Sequence, residues 1–157
     1  MPLLPRLRSS NRSAALRRPT PAPMRPSWPL LAESLVVSGA PHTLEEFSEA
    51  LRRHANDQVG QLDEVHFSQE EDHFHRMALW RSPADLRAFV ELVHSELLAY
   101  HGQAGVFPTV ERTLWWIPAG TEITPEEARA RTEHLRVRGP GRHAFTLASP
   151  VPAPALF

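Results

Sequence analysis

The stretch "TLWWIPAG", Thr113 to Gly120, sets two tryptophans side by side. Together with the "TVER" before it, the segment reads as a strand over 109–117. Successive strand side chains point to opposite faces, so Trp115 and Trp116 leave the strand in opposite directions. Each indole carries roughly 150–250 Å² that is better removed from water. Both faces of the sheet therefore need a cover, and the pattern does not say which indole goes to which.

The elements around this strand follow from caps and periodicity. "ESLVVSG" (33–39) is a short buried strand, and "HTLEEFSEALRRHA" is a helix with Thr43 and Glu46 at capping-box spacing. Leu44, Phe47, Leu51 and Ala55 form its apolar stripe. "LDEVHFS" (62–68) and "HFHRMALW" (73–80) flank "QEED" as an antiparallel hairpin. Ser82 and Pro83 open a helix running to His101, with Leu86, Phe89, Val90, Val93 and Leu97 on one side. Thr124, Pro125 and Glu127 open a last helix that Gly139-Pro140 stops, and "HAFTL" (143–147) adds an edge strand.

The order is β-α-β-β-α-β plus a C-terminal helix. That is the α+β, ferredoxin-like pattern: an antiparallel sheet with helices on one face. A second copy of the sheet across a two-fold axis would cover the other face and give a homodimer.

Composition bounds the chemistry. The chain has 157 residues, 41% hydrophobic, with no cysteine, which excludes disulfides, thiolate metal sites and a cysteine nucleophile. All 17 basic residues are arginine, so Schiff-base and lysine-base chemistry are excluded as well. Residues 1–30 are rich in Arg and Pro and lack acids, and they read as a disordered arm. Residues 31–149 form the folded domain, and 150–157 a Pro-rich tail. The arm resembles a transit peptide or an extension ahead of a start at Met24, and it lacks the apolar stretch of a secretory signal. With an acidic body and no apolar run near ~20 residues, a cytoplasmic protein without nucleic-acid or membrane partners is expected.

"LWRSPADLRAFVELVHSELL", "LWWIPAG" and "TPEEARARTEHLRVRGPGRHAFTL" together resemble an uncharacterised bacterial family in the dimeric α/β-barrel superfamily. Its better-known relatives are the antibiotic-biosynthesis monooxygenases of secondary metabolism. The resemblance covers roughly residues 72–150 and is most specific in the last third. It implies a homodimer built from two packed sheets, with a small-molecule pocket between sheet and helices in each protomer. It names no reaction, since the superfamily includes cofactor-independent oxygenases, heme-degrading enzymes, isomerases, cyclases and sensors.

Nine histidines beside no cysteine mark the candidate chemistry. A four-residue hairpin loop sets His66 opposite His75 and Glu64 opposite Met77, on one face with Leu62 and Leu79. Met77 and Leu79 are the plainer apolar pair, so this face is assigned to the helix side, with His66 and His75 at the pocket. The other face, with Arg76 and Trp80, is assigned to the dimer interface. His94 sits at the border of the second helix's stripe and His101 one heptad later. His94 is the candidate base, with His66, His75 or His101 auxiliary. Tyr100 is a candidate to close the pocket mouth and donate a phenolic proton. One of Trp115 and Trp116 is the candidate aromatic wall. The same histidines read equally as a polar strand face or a pH-sensitive cluster. No metal spacing such as H-E-x-x-H is present. Heme-degrading relatives hold an axial ligand on such a helix, so the resemblance implies heme on His94 as an alternative to a cofactor-free site.

The resulting expectation is a pocket enzyme acting on a hydrophobic aromatic or polyketide-like compound by oxygenation, cyclisation or isomerisation. The alternative is a non-catalytic dimeric ligand-binding or accessory protein of the same fold.

Overall fold

β1 (Pro29–Ser38) runs through the middle of the sheet in the computed structural model, which describes residues 28–155. After it come α1 (Pro41–Asn56), β2 (Gln61–Gln69), β3 (His73–Trp80), α2 (Pro83–Leu92), α3 (His94–Ala104), β4 (Thr109–Pro118) and α4 (Pro125–Arg138). The strand order is β2-β3-β1-β4 with every neighbouring pair antiparallel. This is the expected ferredoxin-like α+β arrangement. The Arg/Pro-rich arm lies outside the described residues up to position 27, while Pro29 and Leu30 already belong to β1.

Local signals explain most of the boundaries. Ser82 and Thr124 cap α2 and α4, their hydroxyls accepting from Asp85 N and Glu127 N at 3.1 Å each. Gly105, at φ 81°, ends α3 in the left-handed region that only glycine enters at low cost. Two expectations change. α1 starts at Pro41, one turn's fraction before the Thr43–Glu46 box, because a proline in the first turn pre-sets the helical φ. The long helix expected over 82–101 is two helices meeting at buried Val93 (φ −90°, ψ 8°), so His94 becomes the first residue of α3.

The sheet has a cover on each face. Toward α1, α2 and α3 it turns Leu31, Leu35, Val37, Phe74, Ala78, Trp80 and Leu114, which pack with Leu44, Phe47, Leu51, Leu86 and Phe89. Toward α4 it turns Ala32, Met77, Trp115 and Ile117, with Ala128 of the helix and partly buried Leu79 and Ile123. The residues α4 buries, Ala128 and Thr132, are small, which lets the helix approach the sheet. α4 is thus more than the solvated surface helix its charges suggest.

The tryptophans resolve accordingly. Trp115 is fully buried on the α4 face, with the Arg131 guanidinium 5.6 Å from its ring centroid. Trp116 faces the other way, beside Phe145, and its Nε1 donates to Val151 O at 2.8 Å. The cover for the second indole comes from the same chain, so burying Trp115 does not require a second copy. "HAFTL" contributes one bridge instead of a strand: Leu114 and Phe145 exchange backbone hydrogen bonds of 2.8 and 2.9 Å.

The hairpin faces are reversed relative to the expectation. Met77 and Leu79 face α4, and Arg76 and Trp80 enter the helix-side core. Arg76 is fully buried there: its Nε donates to Glu64 Oε1 at 2.8 Å, and Nη1 lies 3.6 Å from Glu33 Oε1. Glu33 also accepts from Trp80 Nε1 at 2.9 Å and from Arg112 Nε at 2.7 Å. A charge inside the core is tolerable because it is paired and hydrogen-bonded. The hydrogen-bonded partner, Glu64, comes from the hairpin itself, and β1 adds the Glu33 charge, which the hairpin sequence alone does not reveal. Bulges in β2 at 61–63 and 64–66 carry Glu64 to this face and give the register His66↔Met77 and Ser68↔His75.

Candidate functional site

A pocket of about 170 Å³ opens between the sheet and the first three helices. β1 contributes Leu35 and Val37, α1 contributes Phe47 and Leu51, and Val90, Val93 and Leu97 come from either side of the α2–α3 joint. β4 adds Val110 and Arg112. The break at Val93 places exposed His94 on the pocket's rim, so His94 and Arg112 are the polar side chains of an otherwise apolar lining. Arg112 is tied through Nε to Glu33, and its terminal nitrogens make no other hydrogen bond among the described residues.

The remaining predicted helix-side residues do not join this pocket. Tyr100 is buried and its hydroxyl accepts from Ala40 N at 2.8 Å, with the ring edge-on to Phe47 at 5.8 Å. A Cβ on Gly39 would collide with the phenol, so Gly39 and Tyr100 together dock α3 onto the β1–α1 connection. The phenol therefore holds a structural position instead of closing the pocket mouth. His101 is exposed and stacks on Phe107, ring centroids 4.4 Å apart. Neither Trp115 nor Trp116 lines the pocket.

His66 and His75 lie on the α4 face, across the sheet from His94, so the three histidines do not converge. Their rings meet edge-on at 5.1 Å as diagonal neighbours, while Met77 is buried between sheet and α4. Ser34 Oγ lies 2.8 Å from His75 Nε2. Burial, followed by the nearby His66, Arg129 and His73, pushes the His75 imidazole down to about 4. It is neutral at physiological pH. A cleft of about 480 Å³ above it is bounded by α4. No group of three or more His, Asp and Glu side chains among the described residues is placed to hold a metal ion.

Glu64 belongs to the core network instead of to a ligand set. Burial works to raise its carboxyl, but Arg52 and Arg76 outweigh that and hold it below the usual carboxylate range. Sequence reasoning missed Arg112, Ser34 and Arg129. Arg112 carried a signal, since 110, 112, 114 and 116 form one face of β4 and Arg112 is its one charged position. Ser34 and Arg129 carried none, because their relation to His75 is made across three elements.

Fold and pocket define a ferredoxin-like α+β protein with a small apolar cavity under its helices. Residues 42–156 match the family described as "Domain of unknown function (DUF3291)", and the chain belongs to that family. Membership bears out the resemblance to an uncharacterised family. Among solved structures, the chain is similar to the NE2512 protein of unknown function from Nitrosomonas europaea, at 16% identity and TM-score 0.45, covering 62% of this chain and 95% of that one. It is also similar to SnoaB, a cofactor-independent oxygenase from Streptomyces nogalater, at 17% identity and TM-score 0.40, covering 62% and 96%. A third is PA3566 from Pseudomonas aeruginosa, at 17% identity and TM-score 0.44, covering 62% and 99%. No activity follows from likenesses of this size. None of the curated proteins matches the sequence. Among the described residues, no helix is long and apolar enough to cross a membrane.

Proposed function

We propose that the protein binds a small hydrophobic molecule, one aromatic ring in size, in the helix-side pocket, and that His94 serves as the acid/base group at its mouth. The observation that carries this reading is an apolar cavity of about 170 Å³ whose polar lining consists of His94 and Arg112. Cavities of about 150 Å³ lined by aliphatic and aromatic side chains take up benzene-sized guests. Ligand sites combine such a lining with a few placed polar groups. An exposed imidazole can exchange protons with solvent between turnovers. The transformation fitting this equipment is oxygenation, cyclisation or isomerisation of the bound ring without a resident cofactor. A compound of several fused rings exceeds the space, and so does a tetrapyrrole, so no step is routed through heme. The second reading, a ligand-binding or accessory protein without turnover, rests on the same pocket. A homodimer and a cytoplasmic location remain part of the proposal, supported by the superfamily resemblance and the sequence.

The test is calorimetric titration with single-ring phenols, followed by turnover assays on those that bind. Val90→Phe fills the pocket and is expected to abolish binding. His94→Ala is expected to spare binding and remove turnover. Binding that survives Val90→Phe refutes the pocket. Turnover that survives His94→Ala refutes the acid/base role.

A further inference from the structure

The ion pairs on the helix side of the sheet form one connected network, and it is short of acceptors. Arg52 donates to Glu64 through Nε and Nη2 at 3.1 and 2.7 Å, and Arg76 Nε donates to the same carboxylate at 2.8 Å. Glu33 is shared in the same way: Arg112 Nε donates to its Oε2 at 2.7 Å, and Arg76 Nη1 lies 3.6 Å from its Oε1. That Oε1 already accepts from Trp80 Nε1 at 2.9 Å. Three guanidinium groups thus divide two carboxylates among them. The shortage is visible at Arg76 Nη1, which is buried with no hydrogen-bond partner among the described residues.

Arg112 is where this network meets the helix-side pocket. In the sheet register Leu35 of the lining has Arg76 beside it on β3 and Arg112 beside it on β4, and Arg112 is the one that reaches the lining. Its side chain is largely buried, at 19% exposure. Nε is committed to Glu33, and both Glu33 oxygens are engaged, so the terminal nitrogens are what Arg112 brings to the pocket. No carboxylate lines that space, and apart from His94 the rest of the lining is apolar. A neutral hydrocarbon ring entering there strips water from these N–H groups and gives no acceptor in exchange, which costs affinity. A planar, negatively charged acceptor answers both the charge and the fork of the guanidinium.

We propose that the pocket selects a single-ring ligand bearing one carboxylate, an acid of the benzoate type, and that the terminal nitrogens of Arg112 hold that carboxylate. This inference rests on the pocket reading above and names its class of ligand. The ring takes the apolar space of about 170 Å³ among Leu35, Phe47, Val90 and Leu97. The carboxylate brings the third negative charge to a network that has three arginines and two acids of its own. Arg112 is then the residue that sets specificity, since it makes the charged contact with the ligand. Glu33 is a positioning residue: by holding Nε it fixes the guanidinium plane and leaves the terminal nitrogens to the ligand. The same arrangement discriminates against neutral rings, which leave those nitrogens desolvated and unpaired.

The experiment is calorimetry on the full chain at neutral pH with benzoate and with benzamide, a neutral molecule of nearly the same shape. We expect benzoate to bind about tenfold or more tighter, the effect of hydrogen bonds between charged groups. Arg112→Gln is expected to erase that preference by weakening benzoate and leaving benzamide unchanged. Arg138→Gln removes the same charge from an exposed position on α4 and is expected to alter neither. Val90→Phe fills the pocket and is expected to abolish both. Benzamide binding as tightly as benzoate overturns the carboxylate and leaves the pocket reading standing. Failure of both probes to bind, or binding that survives Val90→Phe, overturns the two together. Equal weakening of benzoate by Arg112→Gln and Arg138→Gln overturns the role of Arg112. Thermal melts establish which variants fold. If Arg112→Gln does not, Arg112→Lys takes its place: it keeps the charge and loses the fork, and a preference retained in full overturns the bidentate contact.

Discussion

The hydroxyls of Thr113 and Thr132 meet at 2.8 Å, both buried, and this contact fastens α4 to β4. Around it the helix buries Ala128 against the sheet, sets Arg131 over Trp115 and ties Arg136 to Glu111 of β4 at the exposed edge. The Thr113–Thr132 pair is the buried polar contact of this cap over Trp115.

Thr132→Val keeps the shape but leaves the Thr113 hydroxyl without its partner. We expect a loss of about 1–3 kcal/mol in unfolding free energy, the cost of an orphaned buried polar group. Thr113→Val/Thr132→Val together should recover most of it, because both polar groups are then gone. Urea denaturation of the single and double variants measures the difference. A double variant no more stable than the single would show that the hydroxyl pair is not what holds the helix.

Glu33 is the shared counter-charge for Arg76 and Arg112. Glu33→Gln removes it while Arg76 stays fully buried. Because Glu64 still pairs with Arg76 at 2.8 Å, the loss is expected to stay below the ~3–5 kcal/mol of breaking a buried pair outright. Arg76→Met in the same background should return part of that loss, since an uncharged side chain needs no partner. Chemical denaturation is the measurement, and a fully additive double variant would contradict the coupling.

His75 gives the stability a pH dependence. Its folded-state value, about 4, lies below the ordinary 6.5, so the unfolded chain binds more protons between these limits. The stabilisation is complete above about 6.5 and is lost as pH falls through about 4. The slope stays under the ~1.4 kcal/mol per pH unit of a full proton, because solvent screens a half-exposed ring. His75→Asn should flatten this part of the curve. Melting temperatures from pH 4 to 7 test it, and an unchanged slope in the variant would assign the dependence to other groups.

The element order, the caps at Ser82 and Thr124 and the stop at Gly139 were legible in the sequence, because each depends on neighbours within one turn. The family was legible in "LWWIPAG" and the segment after it. Of the candidate site, His94 was legible as a histidine at the edge of an apolar stripe. Its place at the pocket rim also depends on the break at Val93, which no glycine or proline announces. On β3 the two faces were separated correctly by period two, yet assigned to the wrong layers, and on β2 the bulges moved Glu64 to the opposite face from the expected one. Apolar character pointed Met77 inward and Arg76 outward, and Glu64, carried across by the β2 bulges, reverses that choice together with Glu33 from a strand some forty positions earlier.

By itself the sequence determined that Trp115 and Trp116 leave their strand on opposite faces, since strand geometry admits nothing else. Only the tertiary structure decided what covers them, fully for Trp115 and partly for Trp116. The answer is α4 of the same chain for one, and Phe145 with the C-terminal segment for the other. Alternation along a strand is a property of the local backbone, whereas the identity of a packing partner is settled by which distant elements reach each face with matching shape and charge.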